Sequence, residues 1–216
     1  AVGYRSLDTN TTADNNTSIG HLAMYANTTG ASNVAVGQGA LRNNTTAANN
    51  TAMGKEALFT NTTGAYNTAN GFEALKNNTT ASFNTATGIQ ALKNTTTGSN
   101  NTATGRGALE SNTTGLNNTA SGYYSLVNTT TGNHNTAMGR EALRQNVSGG
   151  SNAAVGYAAL YNTTTGNQNT AIGESAGDIL TTGSGNVFVG RVARPNGVGD
   201  NYSIVIGYNT VGKGSN

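Results

Sequence analysis

Two histidines and nine carboxylates, with no cysteine, are the whole stock from which this 216-residue chain could assemble a catalytic or metal centre. A nucleophilic triad needs a base within reach of its nucleophile, and a metal needs three or four ligands converging on one point. His21 and His134 stand at positions that other segments fill with Tyr, Arg, Asn or Ser, and the carboxylates are scattered singly. Neither arrangement is expected. The sequences Gly105-Arg106-Gly107 and Gly212-Lys213-Gly214 are too short for a phosphate loop without a strand-to-helix context. The expectation is a protein that is not an enzyme, holds no metal and uses no cofactor.

Three other residue types could meet a ligand or be modified. Asn-x-Thr sequons at Asn10, Asn27, Asn61 and Asn112 match the glycan-acceptor pattern, but turn chemistry accounts for them without glycosylation. Tyr123, Tyr124, Tyr157 and Tyr161 are the candidate ligand-binding residues, because flat amphipathic rings suit stacking on sugars or proteins. Abundant threonine raises ice binding, which wants Thr-x-Thr with both hydroxyls on one side of a strand. The pairs Thr28-Thr29 and Thr113-Thr114 are adjacent and lie in turns, so alternation sends their hydroxyls apart.

What must position these residues is a repeat. Glycine recurs every 17 residues at Gly3, Gly20, Gly37, Gly54, Gly71, Gly88, Gly105, Gly122, Gly139, Gly156, Gly173, Gly190 and Gly207, without insertion or deletion. Asn stands four places before the glycine in eleven consecutive repeats, Ala two before in most, Ala or Ser three after, and Leu or Met four after in the first ten, followed by a turn such as NTTG at 112–115. A fixed period near 20 residues marks one unit of a stacked array. Asn, Thr and Gly clusters leave no run long enough for a helix, whereas NVAVG and NTAIG read as short strands between turns. Parallel stacking of such strands at about 4.8 Å gives a parallel β-solenoid, or β-roll, of thirteen 17-residue coils and roughly 60 Å. The gapless register also predicts a ladder of amides through Asn84, Asn101 and Asn118. The Leu column, Leu109 among it, is expected to face inward. Positions directly after glycine and five after it vary freely and are expected to face outward.

Each coil offers its interior one Leu, two Ala and in some coils a Val, Ile or Met before the glycine. That is little apolar area against the ordering cost of 17 residues at about 1 kcal/mol or more each. Burial between chains is the expected remedy, hence an oligomer. Only 9% of residues are charged and the net charge of +2 is spread along the sequence, which argues against a nucleic-acid partner. No run approaches a membrane span, so no membrane insertion is expected. Residues 1–173 read as the regular array. Residues 174–216 diverge: Gly177 and Arg194 enter the Leu column, Pro195 lies in a loop, and the strands become more apolar, marking a cap or junction. Ala1-Val2-Gly3 starts in mid-repeat, as expected of a piece of a longer protein.

NVAVG at 33–37, NTAIG at 169–173 and SIVIG at 203–207 resemble the head repeats of YadA-type trimeric autotransporter adhesins. The longer unit NTAxGxxALxxNTTG is similar to repeats of bacteriophage tail-fibre proteins. The resemblance implies an intertwined homotrimer, a parallel β-roll exposed outside the cell, on a cell surface or virion. Its implied role is attachment to a surface glycan or protein receptor, or service as a rigid shaft. The 17-residue period exceeds that of the usual head repeat, and the position before glycine turns polar at Asn70, Thr87, Thr104 and Ser121.

Overall fold

The computed structural model describes residues 1–213 and is an all-β parallel solenoid. Twelve three-residue strands, from β1 (Thr17–Ile19) through β6 (Thr102–Thr104) to β11 (Val187–Val189) and β12 (Ile204–Ile206), pair in chain order in one parallel sheet. Each residue pairs with the one 17 places on, as Thr102 does with Thr119 and Ala103 with Ala120. The count is twelve strands where thirteen coils are expected. Only two residues precede Gly3, and Val2 contributes an isolated bridge to Ile19.

Backbone conformation explains why the residue types repeat. Gly105 has φ +128°, and a Cβ on it would lie 2.6 Å from the carbonyl oxygen of Gly122 in the next coil. Both the dihedral and the close approach demand glycine. More surprising is the Leu column: Leu41, Leu58, Leu75, Leu92, Leu109, Leu126, Leu143 and Leu160 all adopt left-handed φ near +50°. That region is unfavourable for side chains and worst for β-branched ones. From Leu7 to Leu160 the column's restriction to Leu and Met, both unbranched at Cβ, follows from it. The strain is held in place by burial and by amide bonds such as Leu109 N–H to the Ser125 carbonyl at 3.0 Å.

The interior has an apolar side and a polar side. Ala103, Ala108 and Leu109 with their equivalents are fully covered by the chain's own stack. Opposite them run two asparagine ladders. In one, the Asn101 amide donates to Asn84 Oδ1 at 2.9 Å, while its Nδ2 donates to the same oxygen at 3.2 Å and to the Gly115 carbonyl at 2.9 Å. In the other, Nδ2 of Asn44, Asn61 and Asn78 each donates to Oδ1 of the asparagine one coil earlier, at 2.8, 2.9 and 2.7 Å. Buried amides carry no penalty when so paired. The second ladder breaks where Thr95, Thr129 and Thr163 replace Asn. The buried Oδ1 atoms of Asn78, Asn112 and Asn146, one coil before each threonine, then have no partner.

Two expectations about the core need correction. Aliphatic residues before the glycine do not point inward: Ile19, Met53, Met138, Val155 and Ile172 are 39–48% exposed. Strand alternation buries only the middle residue of each strand, so positions one and three before glycine share the outer face. The interior is filled instead by the asparagine ladders, and the Leu column needs no second chain to cover it.

Beyond Gly173 the packing is rearranged rather than lost. Phe188 takes the usual Ala position in β11 and is fully buried. Gly177 makes room for it: a Cβ there would stand 2.7 Å from the Phe188 ring and 2.8 Å from Leu160. Leu180, three residues on, supplies the missing bulk inside. Residues 214–216 of the divergent region, and with them Gly214 of Gly212-Lys213-Gly214, lie outside the described residues.

Candidate functional site

Two outward faces differ in chemistry. The outer face of the sheet presents 24 strand residues, two per strand, and none carries a charge. Threonine opens eight of the twelve strands, and Ile, Val or Met precedes glycine at both ends of the sheet. The second face is built from positions one, two and five after each glycine. It holds sixteen of the twenty charged residues of the chain, so charge that is spread along the sequence is gathered on one side in space.

Charges on this second face behave differently along the axis. In the coils around Glu73 they are locked: Lys76 Nζ lies 2.8 Å from both Glu56 and Glu73, and Lys93 Nζ 2.8 Å from Glu73. Hydrogen bonds from Lys76 and then Lys93 hold the Glu73 carboxyl down at about 2, against an ordinary 4.5, and outweigh the opposing effect of burial. Near the far end Arg194 grips Asp178 through two bonds of 2.6 Å.

Between these two segments lie the four candidate tyrosines, and the structure brings them together. Tyr123 and Tyr124 are neighbours with ring centroids 4.2 Å apart. The Arg140 guanidinium bridges coils, 5.5 Å from the Tyr123 ring and 5.7 Å from that of Tyr157. Arg144 does the same for Tyr124 and Tyr161, and its Nη1 donates to the Tyr161 hydroxyl at 2.8 Å. Arg106 lies 5.9 Å from both Tyr123 and Tyr124. Tyr123 and Tyr157 are exposed, whereas Tyr124 and Tyr161 are half-buried supports. Gly105-Arg106-Gly107 has a role here unrelated to phosphate: Gly107 seats the Tyr124 ring, which a Cβ would strike.

The three arginines are what the sequence reading missed. Their signal is the alternation Arg106, Tyr123, Arg140, Tyr157 at one position of four successive coils. These cations are weakly neutralised. Among the described residues Arg106 forms no ion pair, and Glu141 approaches Arg140 only to 3.5 Å and Arg144 to 3.7 Å. Beside them Glu110, Ser111, Tyr124, Val127, Asn128 and Arg144 line an open groove of about 310 Å³.

The remaining sequence candidates fall elsewhere. His21 stacks on Tyr4 with centroids 5.5 Å apart, and His134 donates its amide to the Leu116 carbonyl at 3.0 Å. Among the described residues no three His, Asp or Glu side chains converge on a common point, and no helix is long and apolar enough to cross a membrane. Sequon residues Asn27, Asn61 and Asn112 are fully buried in their ladder. Turn threonines are equally committed, Thr113 Oγ1 donating to the Thr130 carbonyl at 3.0 Å. Two Thr-x-Thr pairs do share an outer strand face, Thr85 with Thr87 and Thr102 with Thr104. They occupy two adjacent strands of the twelve. No family model, no curated protein and no solved structure matches this chain.

Proposed function

We propose that this chain is a rigid, non-catalytic segment of an extracellular attachment fibre, assembled as a homotrimer through the outer face of its sheet. The observation that carries the reading is the segregation of charge: sixteen of twenty charged residues on one outward face and none on the other. A surface that meets only water gains solubility from charge, and exposed aliphatic patches mark interaction sites. The sheet face exposes Val2, Ile19, Met53, Met138, Val155, Ile172, Ile204 and Ile206, each at 39% or more. A second and third copy of the same face is the partner of matching length and pattern. Assembly then points the variable, charged and aromatic face outward, where a surface glycan or protein receptor can be met three times over.

The resemblance to trimeric adhesin heads and tail-fibre repeats supports an extracellular, cell-surface or virion location. Sedimentation equilibrium together with glycan-array and whole-cell binding tests the proposal. Trimers that bind cells or glycans agree with it, while trimers silent in every binding assay would make the segment a passive spacer. A monomer showing thermal hysteresis would overturn both readings and assign the uncharged threonine face to ice.

A further inference from the structure

We infer that the Arg106–Tyr123–Arg140–Tyr157 column is a binding site for an acidic polysaccharide bearing one anionic group per disaccharide. This deepens the attachment reading and rests on it. The argument begins with spacing. Cation and ring alternate at every coil, so at about 4.8 Å per coil the cations repeat near 9.6 Å. That is about the length of two linked pyranose rings. An extended polymer laid along the axis therefore meets an arginine at every second sugar and a tyrosine face at the sugar between.

Availability is the second observation. Arg140 is 61% exposed at its side chain and Tyr157 is 47% exposed, and the Arg140 ion pair with Glu141 is a loose 3.5 Å. By contrast Lys76 and Lys93, the cations of the locked network around Glu73, are each held at 2.8 Å. Guanidinium groups form paired hydrogen bonds to carboxylate or sulfate with a geometry a lysine does not reproduce. Rigidity is the third. Tyr124 is seated on Gly107, Tyr161 is tied to Arg144, and Arg140 is stacked between two rings, so little side-chain freedom remains to be lost on binding. The column ends at Glu174, whose carboxylate is taken by Arg191 at 3.1 Å, which sets the site at two disaccharides.

The test is calorimetric titration of the full chain with hyaluronan octasaccharide, polygalacturonate oligomers and neutral dextran. Binding to hyaluronan that exceeds polygalacturonate, weakens with added salt and is absent for dextran is expected. Arg106→Gln and Arg140→Gln together, or Tyr157→Ala alone, should weaken it about tenfold or more. Lys55→Gln, the same charge change at the same position of a distant coil, should leave it unchanged. Equal loss with Lys55→Gln would reduce the effect to bulk charge and overturn the site. So would undiminished hyaluronan binding in the double arginine variant, or no hyaluronan binding by a chain that still binds cells; in that last case the attachment reading stands without this ligand. Loss of both cell binding and trimerisation would instead count against the attachment reading itself.

Discussion

The two outward faces of this rod are exposed to the same water and built by the same coils, yet they follow opposite rules. In the column of Arg106, Tyr123 and Arg140 the residue type changes at every step, and the face around it admits charge freely. On the sheet face the strands repeat Thr-Ala-x or an aliphatic equivalent and admit no charge at all. Exposure alone does not account for the second rule, because exposed positions two residues beyond the strand ends tolerate Lys55, Arg106 and Arg140. Something besides water constrains the sheet face. In this account it is the neighbouring copies, and the difference divides the coil into a side that assembles and a side that recognises.

The sharpest way to separate covered from free positions is to cut the interior and the variable face in the same coil. Leu109→Ala empties a fully buried site and should cost about 2–5 kcal/mol, read from denaturant unfolding. Arg106→Gln, three residues earlier and outward, should cost under about 0.5 kcal/mol while weakening polysaccharide binding. Equal costs would mean that the variable face is packed and the division is wrong.

Acid should act on the variable face and spare the sheet face. The Glu73 carboxyl is held at about 2 when folded, below its ordinary 4.5. Its contribution is therefore complete above about pH 4.5 and disappears as the pH falls through 2. Wild type should be more stable than Glu73→Gln at pH 6, by on the order of 1–2 kcal/mol, with the gap closing between pH 4.5 and 2 in thermal melts. A gap unchanged at pH 2.5 would refute the locked network.

A smaller effect, of opposite sign, is expected inside. Thr129→Asn should supply the amide that Asn112 Oδ1 lacks and continue the ladder. The expected gain is about 1 kcal/mol, measured as a higher midpoint of unfolding. A loss would show that the threonine is needed for packing.

Much of the scaffold was legible because a gapless period makes every residue its own neighbour. Gly105 predicted the stack, Asn101 the amide ladder and Leu109 the buried column, each from recurrence alone. What recurrence does not encode is direction within a three-residue strand. Ile172 looks like core in the sequence, and only the alternation about buried Ala171 turns it outward. The left-handed conformation at Leu109 was equally hidden, since leucine is a poor signal for it; the absence of Val and Ile from that column between Leu7 and Leu160 was the available clue. For the candidate site, Tyr123, Tyr124, Tyr157 and Tyr161, of which Tyr124 and Tyr161 prove half-buried, were visible as aromatics in freely varying columns. Arg140 and Arg144 were not, because a cation's role depends on which coil it leans against. The breaks in the second ladder, at Thr95, Thr129 and Thr163, read in the sequence as ordinary variation between two turn residues.

The central claim is that the uncharged sheet face is an interface between copies of this chain. Sedimentation equilibrium of the wild type beside a Met138→Lys, Ile172→Lys variant tests it most directly, since both side chains are exposed on that face and neither touches the core. The account predicts three times the 21.8 kDa chain mass for the wild type, and a single folded chain for the variant with its circular dichroism unchanged. A wild type that sediments as one folded chain, or a variant that remains a trimer, would contradict it.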